Sequence, residues 1–464
     1  MQINRNMITF NKILKNNIDD KIFSYLLNNV KTWKDFKTDV KKMIFSLEKD
    51  FKAINTFYVY FQNSYQFIVT FYALAVSNKI CIIINEPSSI SQILTIRNYC
   101  LLTDISSIKN KYQTQLCNTY LFQDCLSSVR ETSNHRYLSF SNNKFFYICT
   151  SGSSGQPKLI KKYFYQVNHE ILAIEKKWGE QAKQYDILSN VSHQHLYGLT
   201  FKIFWPMCTF RSFNEEIFMY PEDLVNRCAQ KIIISSPATL SRLEGMPCLI
   251  SPKLVFSSGG KLNEQDAMKS CKIFNKNITE IYGSTETGII ASRTINISTN
   301  WVFFPEINYV VDEQSCLNVS SPFTKNEQWI NTQDIVSLLG QNQFILKGRL
   351  DRIIKLEEKR ISLEQIENIY NSHELIQETT TIVIKNHVDK DIIAMLIVLS
   401  AKGKAFLKEN TRRQLYIKLK QDILRKNILT SLPKRYKIVD NLPYNSQGKL
   451  IKKNILQVFD KDIK

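Results

Sequence analysis

The stretch TSGSSGQPK, Thr150–Lys158, follows directly on the apolar run KFFYIC, Lys144–Cys149. A strand-like segment thus passes into hydroxyls and glycines and closes on proline and lysine. The chain of 464 residues holds only 13 glycines, well below the roughly 7% of an average protein. Two glycines and three serines in one short run are therefore a concentration. Such a run is either an ordinary surface turn or a loop whose backbone amides and hydroxyls cradle phosphate. It is not a Walker A loop, because GxxxxGK[ST] is absent.

The same arrangement recurs downstream. KLVF leads into SSGG (Ser257–Gly260), and ITEIYG leads into STETG (Ser284–Gly288), with helix-like periodicity between, as at Tyr165–Gln181. Strands alternating with helices predict parallel sheets, whose ligands bind beyond the carboxyl ends of the strands. The three loops are expected to meet at one site. After GRLD, Gly348–Asp351, the texture changes. RIIKLEEKRISL reads as a hairpin, EQIENIYNS as a helix, and TTTIVIK with DIIAMLIVLS as a strand pair, followed by a basic helix near Thr411–Lys426. Two domains are expected, residues 1–350 and 351–464, with the boundary at Leu350–Arg352.

Composition narrows the function classes. A hydrophobic content of 44% with 11% aromatics excludes a disordered chain. The N-terminus lacks an apolar h-region, and FIVTFYALAV (Phe67–Val76) is too short to span a bilayer, so a cytoplasmic protein without a membrane span is expected. The ten cysteines are scattered without a CxxC pair, which fits reduced thiols and not a zinc site. Cys149 adjoins the loop but has no recognisable base beside it. The net charge of +19 is uneven: Ala401–Lys464 carries 17 Lys or Arg against 5 Asp or Glu. These basic residues alternate with apolar ones, and no nucleic-acid-binding signature accompanies them. That surface is either the solvated face of a lysine-rich composition or one that receives an acidic ligand or protein, and nucleic acid is not the expected partner.

Taken in order from Phe57 to Gly448, these segments resemble the adenylate-forming (AMP-binding, ANL) superfamily of acyl- and aryl-CoA synthetases, peptide-synthetase adenylation domains and luciferases. The resemblance implies an α/β fold: a large N-terminal domain of stacked α/β layers with a small β-barrel, and a small mobile α+β C-terminal domain. TSGSSGQPK then resembles the family's phosphate loop, with Thr150, Ser151, Gly152, Ser153, Ser154 and Gly155 around ATP phosphates and Lys158 adding a point charge. A lysine about 4 Å from a phosphate contributes on the order of 4 kcal/mol before desolvation at an effective dielectric near 20. In IYGSTETG the resemblance places Tyr282 on adenine, Gly283 and Ser284 in the nucleotide turn, Thr285 at the α-phosphate and Glu286 on Mg²⁺. A carboxylate oxygen is an ordinary ligand of that hard cation. Gly259 and Gly260 of SSGG would line the adenine pocket.

NTQD resembles the family's TGD motif with Gln333 in place of glycine; Asp334 would accept the ribose hydroxyls. Arg349 would be a second ribose-side contact and Asp351 the hinge. In LPYNSQGKL, Lys449 matches the catalytic lysine. VSHQHLYGL resembles the family's FHxYGL stretch, placing His195 beside the substrate and Tyr197 on the pocket wall. No aspartate stands there for an α-ammonium, which favours an aryl or fatty acid over an amino acid. The implied reaction joins a carboxylic acid to ATP as an acyl-adenylate, then passes the acyl group to a thiol. One departure bears on that thiol. Glu358 stands where the family usually has glycine in the LEEKRI turn, and LEEKRI with its surroundings resembles stand-alone acyl carrier protein ligases of aryl-polyene-type loci. A carrier protein is thus the expected acceptor, with free CoA as the alternative. A non-catalytic nucleotide binder or a nucleic-acid-binding protein are the further alternatives.

Overall fold

The structure is a computed structural model. It describes residues 7–86, 90, 99–113, 118–127, 139–151, 157–245, 247–260, 262–295, 297–356, 359–386, 390–426, 432–444, 450 and 452–460. The chain opens on a hairpin, β1 (Ile22–Leu26) and β2 (Asn29–Thr32), and enters helix α1 (Trp33–Lys49). Thr32 caps that helix by accepting from the Asp35 amide, while the Asp35 carboxylate accepts from the Thr32 amide. This reciprocal box satisfies two amides that a helix start leaves without partners.

Six strands then form one sheet: β3 (Thr56–Tyr60), β4 (Ile80–Ile83), β5 (Tyr99–Thr103), β6 (Asn118–Leu121), β7 (Phe145–Ser151) and β8 (Pro157–Tyr163), in the order β6-β5-β3-β4-β7-β8. All neighbours are parallel except β7 and β8, an antiparallel hairpin in which Thr150 faces Lys158. The segment FIVTFYALAV lies in α2 (Ser64–Val76), where 11 of 13 residues are buried. An all-round apolar helix needs cover on every side. Here it sits within the protein core, and among the described residues no helix is long and apolar enough to cross a membrane.

A 13-stranded sheet carries the rest of the large domain. It adds β9 (Ile187–Ser189), β10 (Phe213–Asn214), β11 (Ile232–Ser235), β12 (Leu254–Ser257), β13 (Ile278–Ser284) and β14 (Gly288–Thr294). It continues through β15 (Trp301–Phe303), β16 (Asn308–Val311), β17 (Cys316–Ser320), β18 (Ile330–Leu338) and β19 (Gln343–Arg349). The order is β16-β17-β18-β19-β15-β14-β13-β12-β11-β9-β10-β1-β2, parallel from β13 through β1 and antiparallel at both ends.

Strand periodicity of two builds the layers. Phe57, Val59, Phe146 and Ile148 point inward, to a core shared with Phe256 and Ile234 of the second sheet, while Tyr58 and Cys149 face a separate outer cluster. Helix α3 (Phe164–Ala182) runs through the shared core, where Phe164 stacks on Phe10 at 5.7 Å and Phe10 meets Phe204 at 4.5 Å.

Past β19 a single 3₁₀ turn, Leu350–Arg352, leads to a smaller domain. It contains the hairpin β20 (Ile353–Leu356) and β21 (Lys359–Ser362), helix α4 (Leu363–Asn371), and the strands β22 (Ile376–Lys385), β23 (Asp391–Leu399) and β24 (Arg435–Ile438). The basic helix α5 (Arg412–Lys426) buries Leu415, Leu419 and Ile423 against this domain's own core.

One buried ion pair locks α3 to the segment after His195. The Arg211 guanidinium donates to both Glu175 carboxylate oxygens, at 2.8 and 3.0 Å, and Trp205 Nε1 donates to the same carboxylate at 2.7 Å. Both charged side chains are almost fully buried. Arg211→Met leaves that carboxylate without its cation and should cost about 3–5 kcal/mol, seen as a lowered thermal midpoint. Adding Glu175→Gln should restore part of the loss.

Candidate active site

The site is built on two hairpins from different sheets. In the first, β7–β8, the loop lies between Ser151 and Pro157, which pair in register. Gly152, Ser153, Ser154 and Gly155 lie outside the described residues. Thr150 Oγ1 donates across the hairpin to the Lys158 carbonyl at 3.3 Å. In the second, β13–β14, the strands approach so closely that a Cβ on Gly283 would sit 2.2 Å from the Gly288 carbonyl oxygen. Only glycine fits there, and the register shifts by one residue at that point.

Both segments join antiparallel strands and not a strand to a helix. A Ser and a Thr hold the second one: the Ser284 amide donates to Thr287 Oγ1 at 3.0 Å, and the Thr287 amide to Ser284 Oγ at 3.2 Å. Thr285 and Glu286 ride the tip, half-buried. Lys158 Nζ lies 3.8 Å from Glu286 Oε1. An exposed pair of this kind contributes at most about 1 kcal/mol to stability. Its significance is that it places a cation from one hairpin beside the carboxylate of the other.

The base of the second hairpin carries a polar chain. The Tyr282 hydroxyl donates to Asp334 on β18. Asp334 also accepts from Arg349 Nη1 of β19 at 3.2 Å, and Arg349 grips Asp351 with two bonds, at 3.0 and 3.1 Å. Burial raises the Asp334 carboxyl above the ordinary aspartate value of 3.8, against the opposing pull of Tyr282 and Arg349. Burial and the adjacent carboxylate likewise push the Tyr282 phenol up. Its ring packs on Trp301 and Phe344 at 5.6 and 5.8 Å. The replaced glycine of NTQD has a visible reason: Gln333 sits at φ 60, in the left-handed region. A side chain there costs about 1–2 kcal/mol, offset here by the Asn331 side chain accepting the Gln333 amide at 2.8 Å.

The SSGG loop leaves β12, the parallel neighbour of β13, and Ser258 Oγ donates to the Ile281 carbonyl at 2.8 Å. Gly259 takes φ +96 with nothing within 4 Å of an added Cβ, so it is a positive-φ turn with open space above. Gly260 follows it. His195 stands at the start of the short helical turn Leu196–Gly198, which continues as the π-helical turn Leu199–Phe204. Its neighbour His193 is fully buried, 3.0 Å from Ser64 Oγ, and burial holds its imidazole well below the ordinary range.

The structure therefore brings Thr150, Lys158 and Glu286 to one end of the paired hairpins and Tyr282, Asp334, Arg349 and Asp351 to the base of the second. The turn at Glu358 and the segment with Gly448 and Lys449 lie outside the described residues. Sequence reasoning missed the buried side chains beneath the hairpins. Lys162, two residues past the last strand-pattern apolar, and Glu170 on α3 are both almost fully buried. Among the described residues no group of three or more His, Cys, Asp or Glu could hold a metal ion. The Glu286 carboxylate at the hairpin tip has the oxygen chemistry of a hard-cation ligand.

A family model described as AMP-binding enzyme matches residues 13–316. Malpibaldin synthetase of Mortierella alpina is 30% identical over 129 residues, which are 27% of this chain and 2% of that protein. The chain thus spans a small fraction of that relative's length. Three solved structures share the fold across nearly the whole chain. The ATP-bound MatB from Rhodopseudomonas palustris has a TM-score of 0.80 at 14% identity, covering 98% of this chain and 100% of that one. The o-succinylbenzoate CoA synthetase from Bacillus subtilis, in complex with its acyl-adenylate intermediate, has a TM-score of 0.79 at 16% identity, covering 94% and 95%. A benzoate CoA ligase from Burkholderia xenovorans LB400 has a TM-score of 0.78 at 13% identity, covering 96% and 98%.

The Cys149 thiol, 1% exposed on the outer face of β7, is pushed up to about 12 by burial. A thiol needs its thiolate to react. Iodoacetamide at pH 8 should therefore leave Cys149 unmodified in the native protein and modify it after denaturation, as read by peptide mass spectrometry.

Proposed function

Because the chain belongs to the AMP-binding enzyme family, we propose that it activates a carboxylic acid with ATP and passes the acyl group to a thiol. In the first step a carboxylate oxygen bonds to the α-phosphorus, the α–β phosphoanhydride bond breaks, and pyrophosphate leaves. In the second, a thiol attacks the acyl carbonyl, the thiol proton goes to solvent, and AMP leaves. The observation that carries this reading is the meeting of two hairpins at Lys158 and Glu286, with Tyr282, Asp334 and Arg349 joined at the base of one of them.

The residues divide the work. Both reacting partners in the first step are anions, so the barrier is largely electrostatic and is lowered by fixed positive charge and donors. Thr150, Ser151, Gly152, Ser153, Ser154 and Gly155 are assigned to the phosphates through hydroxyls and amides, with Lys158 as a point charge. Gly283 and Ser284 shape the turn that carries Thr285 to the α-phosphate. Glu286 would hold Mg²⁺, which supplies charge neutralisation on the phosphates when bound. Tyr282 takes adenine, Gly259 and Gly260 its pocket wall, and Asp334 and Arg349 the ribose. Lys449 completes the first step from the smaller domain and is withdrawn for the second by rotation at Asp351. His195 and Tyr197 stand beside the acid, which is an aryl or fatty acid.

The proposed thiol is the phosphopantetheine of an acyl carrier protein. Such partners are acidic, and α5 exposes Arg412, Arg413 and Lys420 on the smaller domain. Free CoA is the second reading, favoured by the fold shared with two CoA-dependent enzymes.

Two outcomes test this. Pyrophosphate should exchange into ATP only when an aryl or fatty acid is present. Lys449→Ala should lose that exchange by at least a hundredfold yet still consume preformed adenylate when thiol is supplied; equal loss of both half-reactions contradicts the assignment. Holo carrier protein and CoA, offered as alternative acceptors, decide the thiol. The second outcome concerns pH. A carboxyl whose folded pKa is raised binds its proton at higher pH than in the unfolded chain, so its ionisation costs stability as pH rises through that value. Accepting ribose hydroxyls needs the ionised form. ATP affinity should therefore fall as pH drops through the Asp334 pKa, which burial raises above the ordinary aspartate value. Asp334→Asn should bind ATP more weakly at pH 7 and lose that acid limb.

A further inference from the structure

Lys162 lies four residues beyond Lys158 on β8, and a strand period of two puts both on one face. Lys158 is largely exposed and reaches the Glu286 carboxylate from the solvent side. Lys162 is 2% exposed and approaches the same residue from beneath. Its ammonium donates to the Glu286 carbonyl at 3.2 Å and to the Phe323 carbonyl at 3.3 Å. Gln166 Nε2 donates to that Phe323 carbonyl at 2.9 Å, while its Oε1 accepts from the Tyr163 amide at 2.7 Å. One helical turn on, the Glu170 carboxylate accepts the Ile289 amide at 2.9 Å. A Cβ on Gly288 would lie 3.2 Å from the same carboxylate oxygen.

Strand β8 and the first turns of α3 thus hold the second hairpin at Glu286, Gly288, Ile289 and the facing Phe323. Burial disfavours the Lys162 charge, and Glu170 and Glu286 favour it. Burial raises Glu170, and Lys162 and the Ile289 amide oppose that. A buried ammonium is costly unless paired and hydrogen-bonded. Burying one under a loop tip, where an apolar side chain would pack at no such cost, calls for a role beyond packing.

We propose that Lys162 is a positioning residue for the nucleotide: from beneath, through the Glu286 and Phe323 carbonyls, it fixes the backbone of the Glu286 loop against strand β8. This rests on the ATP-dependent reading above. It acts through Glu286 and its loop, not by touching the reacting atoms.

The test uses the full-length protein and Mg-ATP, with affinity measured by calorimetry and thermal midpoint measured alongside. Lys162→Met should weaken Mg-ATP binding roughly ten- to a hundredfold and should lower the thermal midpoint by stranding Glu170. In the double variant Lys162→Met with Glu170→Gln the stranded carboxylate is gone. The thermal midpoint should recover, and Mg-ATP binding should stay weak. Recovery of both would overturn the inference, leaving Lys162 a purely structural counter-charge to Glu170. Wild-type affinity in both variants would overturn it equally. Absence of Mg-ATP binding by the wild type would instead sink the reading on which it rests.

Discussion

The site depends on one constraint: two hairpins from different sheets must meet with their charges in register. Neither sheet can supply the meeting alone. The β7–β8 hairpin brings lysines and hydroxyls, and the β13–β14 hairpin brings the carboxylate. Lys158 bridges them at the solvent edge and Lys162 beneath it. The closeness of Gly283 to Gly288 makes the second hairpin tight enough to present Glu286 at a fixed point. Around this junction the core is aromatic and closely interlocked, with Phe164 at the start of α3 stacked on Phe10 and edge-on to Phe140. Such packing has few ways to relax, so the strand-to-helix segment that carries Lys162, Gln166 and Glu170 is held rigidly.

A second link runs from the base of the β13–β14 hairpin to the turn that leads into the smaller domain. Asp334 accepts from Tyr282 and Arg349, and Arg349 also grips Asp351 in the turn before the smaller domain. The next residue, Arg352, is tied to that smaller domain through Glu367 and the Thr381 carbonyl. A side chain proposed for ribose thus touches the residue proposed as the hinge. Under the proposed reading, a ribose at Asp334 would compete for Arg349 and change what Asp351 holds. This gives the proposed rotation a physical handle that isolated motifs do not.

Much of this was legible in the sequence because glycine and hydroxyl clusters stand out in a chain so poor in glycine. TSGSSGQPK, SSGG and STETG each mark the end of a strand, and the elements after GRLD form in the order that their patterns predict. The helix expected over Tyr165–Gln181 spans Phe164–Ala182. Three features were not legible. Strands β8 and β14 run antiparallel to β7 and β13, a pairing that local composition does not specify. The departure at Gln333 became intelligible only with its positive φ. In sequence Lys162 is one of two adjacent lysines in LIKKY, and nothing in that run separates it from Lys161. Its burial comes from Phe323 and Glu286, 161 and 124 residues away, and no local pattern encodes contacts of that range.

In the proposed function one nucleotide is held by both hairpins at once. Amide hydrogen exchange, followed by mass spectrometry with and without Mg-ATP, tests it without reference to turnover. Peptides covering Phe145–Tyr163 and Ile278–Thr294 should gain protection together, at the same nucleotide concentration. Protection confined to one hairpin, or none in either at saturating nucleotide, would contradict it.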